Sequence, residues 1–362
     1  MADLAVRVEP GDRLGIRRRQ RRSALWIIGL TVTLIVSAIV TIGIGPVGIS
    51  PDVVLAVTGH HLLDIPADVS WERSDDSIVW NVRIPRVLLG VAVGAGLAVC
   101  GAVLQAMVRN MLADPYILGI SGGASTGAAG AILFGLGAGI GQNALPVSAF
   151  LGALAASLLV FFIARAGGRI TSLRLLLSGV AVGYALSAVT SFIIFASDSA
   201  EGSRSVMFWL LGSLSLARWN LLLGVVFAVV GLTMAVFILW GRRLDALAIG
   251  DETALTLGVS PTRTRVILLV VVSLATGAVV AASGAIGFVG LVIPHVARRL
   301  VGAVHSHMIP VAALLGATFL VWADALARTM MQPRELPIGI ITAMVGAPFL
   351  LILVRRMYAR GD

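Results

Sequence analysis

The chain has 362 residues, of which 58% are hydrophobic and only 12% charged, and its mean hydropathy is +0.99. A soluble domain carries about a quarter charged residues, so this composition excludes a soluble enzyme, a disordered tail or a nucleic-acid-binding domain as the main body. All 27 basic residues are arginine and the net charge is +9, a basicity that topology explains better than nucleic acid does.

Apolar runs of about twenty residues recur along the chain, the length at which an α-helix spans a bilayer. A transmembrane barrel would instead alternate in segments of about ten. The sequence opens with a basic stretch, residues 1–23, that includes Arg17-Arg18-Arg19-Gln20-Arg21-Arg22. The first run, from Ala24 to about Ile44, is too long for a signal-peptide core, and no small-residue cleavage site follows cleanly. Residues 45–81 are polar, acidic and rich in turn formers, and predict a loop with a short helix. Apolar segments follow at 84–108, 115–134, 145–164 and 173–196. The stretch Val206–Leu216 is too short to cross and is expected to be re-entrant or to lie at the interface. Further segments run over 219–240, 264–283, 287–300, 309–327 and 336–354, ahead of a tail at 357–362. Pro294 and the shortness of 287–300 predict a tilted or partial helix there. With the first, the count is ten, and no internal repeat is clear.

With both termini placed in the cytoplasm, 20 arginines fall in inner segments and 7 in outer ones, as the positive-inside rule asks. The outer segments also hold nine acids, so the excess basicity belongs to the inner face. The transmembrane body is then 24–356, with an inner loop at about 241–265.

The spans are poor in chemistry. Asp114 and Asp324 sit near segment ends, and no span carries Glu or His at mid-depth. Ion-coupled transporters need such groups near the midplane, so energy is expected from another protein. No Ser/His/Asp or His/Glu cluster marks a hydrolase, and the single Cys100 supports no Cys-based metal site. His60, His61, His295, His305 and His307 lie in loops or at helix ends without ligand spacing. Gly90 and Gly94, Gly119 and Gly123, Gly123 and Gly127, and Gly179 and Gly183 have the GxxxG spacing of tight packing. A translocation path lined by Gly94, Gly119, Ser121, Gly122, Gly123 and Gly127 is the functional alternative. The run Gly119–Gly127 lacks the Gly-Lys-Ser/Thr ending of a phosphate loop, so no nucleotide site is expected.

Two regions break the pattern. In the inner loop, two short helices are expected to flank Gly250, with Gly258 as a stop and Asp251 and Glu252 near a helix start. Leu247, Leu255 and Leu257 would be apolar groups in open cytoplasm, to be covered either by the protein's own bundle or by a partner. At the outer end, Arg83 and Arg86 run against the topology rule. They are either snorkelling anchors or docking points for carboxylates. Asp324 and Arg328, at i and i+4, are either a helix-end pair or, for Arg328, a docking residue.

Three blocks carry a family resemblance: Arg83-Ile84-Pro85-Arg86 through Gly101-Ala102-Val103-Leu104-Gln105, with Arg109-Asn110 and Leu112-Ala113-Asp114-Pro115; Gly250-Asp251-Glu252 through Leu257-Gly258-Val259; and Gly284 through His295, with Asp324, Arg328 and Glu335-Leu336-Pro337-Ile338-Gly339. Over roughly residues 25–356 the chain resembles the FecCD-type permeases of binding-protein-dependent ABC importers of iron-siderophores, haem or cobalamin. Met111 departs from the Pro usual after Arg-Asn, which bears on one local turn.

The resemblance implies an all-α membrane protein of ten transmembrane helices with the cobalamin-permease-like type II ABC importer fold, working as a homodimer or pseudo-symmetric heterodimer in the bacterial cytoplasmic membrane. It implies two cytoplasmic ATPase subunits, which use the ATP and magnesium, and an extracytoplasmic substrate-binding protein. This chain would bind no cofactor and no nucleic acid. By the same resemblance Gly250, Asp251, Glu252, Ala254, Leu255, Leu257 and Gly258 form the ATPase-coupling region, and Arg83, Arg86 and Arg328 dock the binding protein. An ion-coupled transporter or channel, and a membrane enzyme or scaffold, are the rival readings. Uptake driven by a gradient alone, or hydrolysis by the isolated chain, would favour them.

Overall fold

The computed structural model describes residues 16–66, 68–166, 168 and 170–358. Residues 1–15 of the basic N-terminal stretch and residues 359–362 of the tail lie outside the described residues.

All regular structure among the described residues is helical. The elements are α1 (Ile16–Gly43), α2 (Pro51–Leu63), α3 (Arg73–Ser77), α4 (Ile84–Val108), α5 (Ile120–Phe134), α6 (Ala144–Arg165), α7 (Ser172–Phe195), α8 (Ala200–Leu210), α9 (Leu221–Leu239), α10 (Gly241–Ile249), α11 (Asp251–Thr256), α12 (Pro261–Ser283), α13 (Val289–Val301), α14 (His305–Thr329) and α15 (Ile338–Tyr358). A π-turn at Ile78–Arg83 runs α3 into α4, making one continuous helix from Arg73 to Val108. Among the described residues, eight helices are long and apolar enough to cross a membrane. The other two expected segments are shorter: α5 has 15 residues and α13 has 13. At 1.5 Å per residue α13 is about 20 Å long, well short of a bilayer core of about 30 Å. The expectation of a partial helix at 287–300 therefore holds.

The outer stretch 45–81 contains α2 and α3; Val54 and Val57 of α2 and Trp71, just before α3, pack with Ile42, Ile49 and Val79 in a small core of their own. The stretch after α7 folds as α8, which buries Val206 and Trp209 and leaves Met207 and Phe208 exposed.

Small residues decide which helices sit in the middle. Helices α4, α12 and α14 are buried along most of their length, whereas α1, α7, α9 and α15 keep broad exposed apolar faces. A side chain on Gly94 would overlap the backbone of Gly316 in α14, and one on Gly101 would overlap Gly290 in α13. Without hydrophobic driving force in lipid, such close backbone approach is what holds helices together. Helix α4 thereby becomes the hub between two cores, one shared with α5, α6 and α12 and one shared with α9, α13 and α14. One residue marks the break before α13. Phe288 adopts φ +69, a left-handed conformation costly for a bulky side chain, and its ring abuts Gly346 of α15.

Candidate functional site

At one end of the bundle, α10 and α11 form a short ledge bent at Gly250. That residue has φ +155 and ψ +162, a region open essentially only to glycine. Helix α10 buries Leu244 and Leu247 completely. Its Asp245 accepts hydrogen bonds from the backbone N–H of His305 at 3.0 Å and from His305 Nδ1 at 2.6 Å, tying the ledge to the first turn of α14. Helix α11 closes as a Schellman motif. Val259 N donates to Ala254 O at 2.8 Å and Gly258 N to Leu255 O at 3.0 Å, with Gly258 at φ +76. The two helices expected to flank Gly250 and the stop expected at Gly258 are in place.

The ledge is anchored by a residue that sequence reasoning passed over. Arg265, in the first turns of α12, is 1% exposed. It grips Asp251 bidentately at 2.7 and 2.9 Å, donates to Met107 O of α4 at 3.2 Å, and reaches Ser172 Oγ of α7 at 3.2 Å. Arg109, in the left-handed turn that ends α4, lies 3.7 Å from Asp251. The Arg265 guanidinium holds the Asp251 carboxyl below its ordinary value. One carboxylate on α11 is thus joined to three spans. A separation of 14 residues has no helical periodicity, so nothing local in the sequence signals the pair.

What the anchor leaves outside is apolar. Ile249, Leu255 and Leu257 are 68%, 61% and 62% exposed, whereas Leu247 and Ala254 are buried. The protein's own bundle therefore covers Leu247, and Leu255 and Leu257 face away from it. Glu252 is exposed beside them.

At the opposite end Arg83, Arg86 and Arg328 come together, but not as presented charges. Arg83 donates to Ile42 O at 2.7 Å, to Gly43 O at 3.0 Å and to Val47 O. Arg328 donates to Thr41 O at 3.1 Å and Ile44 O at 3.0 Å. Two guanidiniums thus satisfy the last carbonyls of α1, which have no partners within the helix, and sit at the negative end of its dipole. Arg328 also pairs with Asp324 at 3.1 Å, so the i, i+4 pair is present. Arg86 bonds Asp324 at 2.9 Å and Glu335 at 2.9 Å. All three arginines are no more than 6% exposed. These groups spend their donors inside the chain: Arg83 and Arg328 on the carbonyls that end α1, and Arg86 on Asp324 and Glu335. Only the Arg86–Glu335 pair reaches the surface, through Glu335 at 40% side-chain exposure.

The glycine-rich stretch is packing over most of its length. Gly123 faces Gly152 and Gly127 faces Ser148, both on α6, and Gly94 faces Gly316. Gly119 has φ +72 and starts α5 against Val182 of α7. Ser121 and Gly122 are half-buried, with Gly122 against Leu186 of α7. Two further polar ties hold the broken region before α13. Tyr116 Oη accepts from Ile286 N at 2.8 Å and donates to Ile286 O at 3.0 Å. Gln105 Nε2 donates to Ala113 O and Leu291 O, both at 3.2 Å. At the Met111 turn, His295 Nε2 donates to Met111 O at 2.8 Å. The turn is fixed through its backbone, so the side chain at 111 has little say in it.

An all-helical bundle with broad lipid-facing sides, a broken half-helix and an apolar ledge projecting at one end defines a polytopic membrane permease. The chain belongs to the FecCD transport family, whose pattern it matches over residues 30–356. It is 42% identical to the ABC transporter permease protein YvrB of Bacillus subtilis, over 94% of this chain and 96% of that one. It is 45% identical to the cobalamin import system permease protein BtuC of Halobacterium salinarum, over 78% and 75%, and 40% identical to the hemin transport system permease protein HmuU of Yersinia pestis, over 79% and 84%. Among solved structures, an ABC transporter assigned to the metal-chelate type, in an inward-facing conformation, superposes with a TM-score of 0.79 at 33% identity, covering 91% of this chain and 98% of that one.

Proposed function

We propose that this chain is the permease subunit of an ATP-driven importer that moves an iron chelate, a ferric siderophore or haem, inward across the cytoplasmic membrane. The observation that carries the reading is the ledge. Ile249, Leu255 and Leu257 present an apolar face on a rigidly anchored support, and such a face meets a partner. The partner we assign is a cytoplasmic ATPase, which supplies the energy that the ion-poor spans do not. Names of relatives support the chemical class of cargo, including the Fe(3+)-citrate import system permease protein YfmD of Bacillus subtilis at 40% identity. The relative named for cobalamin keeps a cobalamin permease as the second reading.

The mechanism follows from the anchor. Closure of the ATPases displaces the ledge; Asp251–Arg265 passes the displacement to α12, and Arg265 passes it to the ends of α4 and α7. Asp245–His305 passes it to α14, which carries Asp324 and Arg328 at its far end. Rocking of these spans opens one side or the other, as alternating access requires. The chain works beside a second permease copy or paralogue and itself performs no bond chemistry. A soluble substrate-binding protein docks at the Arg86–Glu335 end, where an incoming acid competes with Glu335 for Arg86.

Replacing both Leu255 and Leu257 by Asp tests the ledge. In vesicles holding the assembled importer, substrate uptake is expected to fall at least about tenfold while melting of the permease is unchanged, because neither side chain is packed. Full coupling with wild-type recovery of the ATPase would refute the assignment. Thermal shifts of the cognate binding protein with a siderophore panel, haem and cobalamin identify the cargo.

A further inference from the structure

Helices α6 and α9 both pack against α12 and little against each other. Between them lies a groove of about 500 Å³. Its floor is α12, where Ala278 and Ala281 are buried and their small side chains leave the space above them open. One wall is α9. Leu222, Val225, Val229, Thr233 and Val236 line the groove at the i, i+3, i+7, i+11, i+14 spacing of a single helical stripe. The other wall is the start of α6, with Pro146, Val147 and Phe150. The Phe150 ring lies against α12 at Gly277, 3.4 Å from where a Cβ would stand, so this wall closes onto the floor.

The dimensions select the occupant. From Leu221 to Val236 the groove follows α9 for about 22 Å at 1.5 Å per residue. It starts at the end of the bundle away from the ledge, where α6 and α9 begin and α12 ends. Half of a hydrocarbon core of about 30 Å is about 15 Å, so the groove is longer than one leaflet is deep. Its volume spread over that length gives a cross-section of about 23 Å², whereas a helix 10 Å across needs about 80 Å². A helix of a partner or of a second copy would bridge the rims and leave the floor bare, forfeiting the close packing that joins helices in lipid. Of the described residues that line the groove, only Asn143 and Thr233 are polar, too few to hold ordered water, which needs several polar partners. Left empty, the apolar lining would lose its dispersion contacts on one side. A single hydrocarbon chain fits in width, length and chemistry.

We infer that this groove is a binding site for one acyl chain of a phospholipid, drawn from the leaflet at the end away from the ledge. The chain enters beside Asn143, lies extended between Phe150 and Val229 over the alanines of α12, and ends against Val236 and Val271, past the midplane. Asn143 is exposed at the mouth, where its amide donates to the ester carbonyl of the lipid. The site selects the chain and not the headgroup charge, because no ionisable side chain is among the described lining residues. A filled groove joins α6 to α9 across α12, the span whose opposite end grips the ledge through Arg265 and Asp251.

The test uses the full-length chain in phosphatidylcholine nanodiscs doped with a phosphatidylcholine that carries a photoreactive diazirine near the end of one chain, with adducts mapped by mass spectrometry. Adducts are expected at Val236 and Val271, at least about tenfold over the exposed face of α1 at Val32 and Ile35. Val225→Trp fills the groove from its exposed rim and Ala281→Leu raises its floor; each is expected to lower those adducts at least about tenfold. Leu239→Trp, on the exposed side of α9 outside the groove, is expected to leave them unchanged. Equal melting of Val225→Trp and the parent excludes unfolding as the cause. Adducts spread over all exposed helices in proportion to their exposure would overturn the proposal, as would adducts indifferent to Val225→Trp or lost equally in Leu239→Trp. A disulfide between two copies of the Val225→Cys chain would make the groove an interface between copies, and that too overturns it.

Discussion

Arg86 is the residue whose partners differ most in their surroundings. Asp324 is buried beside it and Glu335 is 40% exposed. Breaking a buried pair from one side leaves an uncompensated charge and costs about 3–5 kcal/mol, whereas an exposed pair is worth about 0–1 kcal/mol. Arg86→Gln should therefore lower thermal stability steeply and Glu335→Gln hardly at all, with uptake in the second variant reporting on docking alone. Asp114 gives a pH prediction. Burial pushes its carboxyl up to about 6, against the hydrogen bond it accepts from Tyr116 N. A folded-state value above the unfolded one means that native protein holds the proton longer. That contribution is fully present below the ordinary carboxylate value and is lost as pH rises through about 6. Asp114→Asn, which keeps the acceptor, should match the parent near pH 4 and melt higher at pH 8. Melting curves across that range check the sign.

At the scale of elements, the crossing of α4 and α14 is set by two glycines rather than by large side chains. A methyl group at Gly94 would meet the Gly316 backbone, which cannot rotate away, whereas one at Gly231 of α9 meets nothing. Gly94→Ala should cost about 1–3 kcal/mol through overpacking, and Gly231→Ala should be neutral or slightly stabilising. Melting of the two variants in the same lipid separates a packing role from mere glycine content. The ledge shows the complementary logic. Helices α10 and α11 are too short to hold their shape by hydrogen bonding along the chain, so Asp251–Arg265 and Asp245–His305 supply the rigidity from outside. Under the proposed function, this apolar surface transmits force only because it is held this way, with the carboxylates beneath Leu255 and Leu257 pinned.

For the whole molecule, arginine placement argues for the ledge end in the cytoplasm, since the inner segments hold most of the 27 arginines. Cys100 is buried, so single cysteines can be added without a strong background. Ser74→Cys should react with an impermeant maleimide on intact cells, and Ser260→Cys only after the membrane is opened. Both serines are exposed, and the reverse pattern would invert the topology. The two ends also differ in chemistry. The ledge end presents apolar groups on a charged anchor, and the other end closes its arginines inward, leaving Glu335 and the loop acids outermost. A molecule built this way offers an apolar foothold at one end and an acidic rim at the other, with a bundle between them that lacks mid-span acids.

The sequence by itself determined the class of structure. Spans of about twenty apolar residues, the short segment with Pro294, the two short helices flanking Gly250 and the stop at Gly258 are local properties of chain length, ring closure and backbone freedom, and they were legible residue by residue. So was the i, i+4 pair of Asp324 and Arg328. Only the tertiary structure decided what each charge and each leucine faces. Arg83 looks like a free cation in the sequence and Arg328 like one half of a helix-end pair, and the fold turns both onto the carbonyls that end α1, some 40 and 280 residues away. Leu247 and Leu255 look alike in the sequence, and the fold buries one and exposes the other. Arg265 carries no local signal because its partners come from α4, α7 and α11 at once. Helical periodicity encodes neighbours up to four residues apart, whereas burial and pairing across a membrane bundle depend on which helices meet, and that is settled by packing among all of them together.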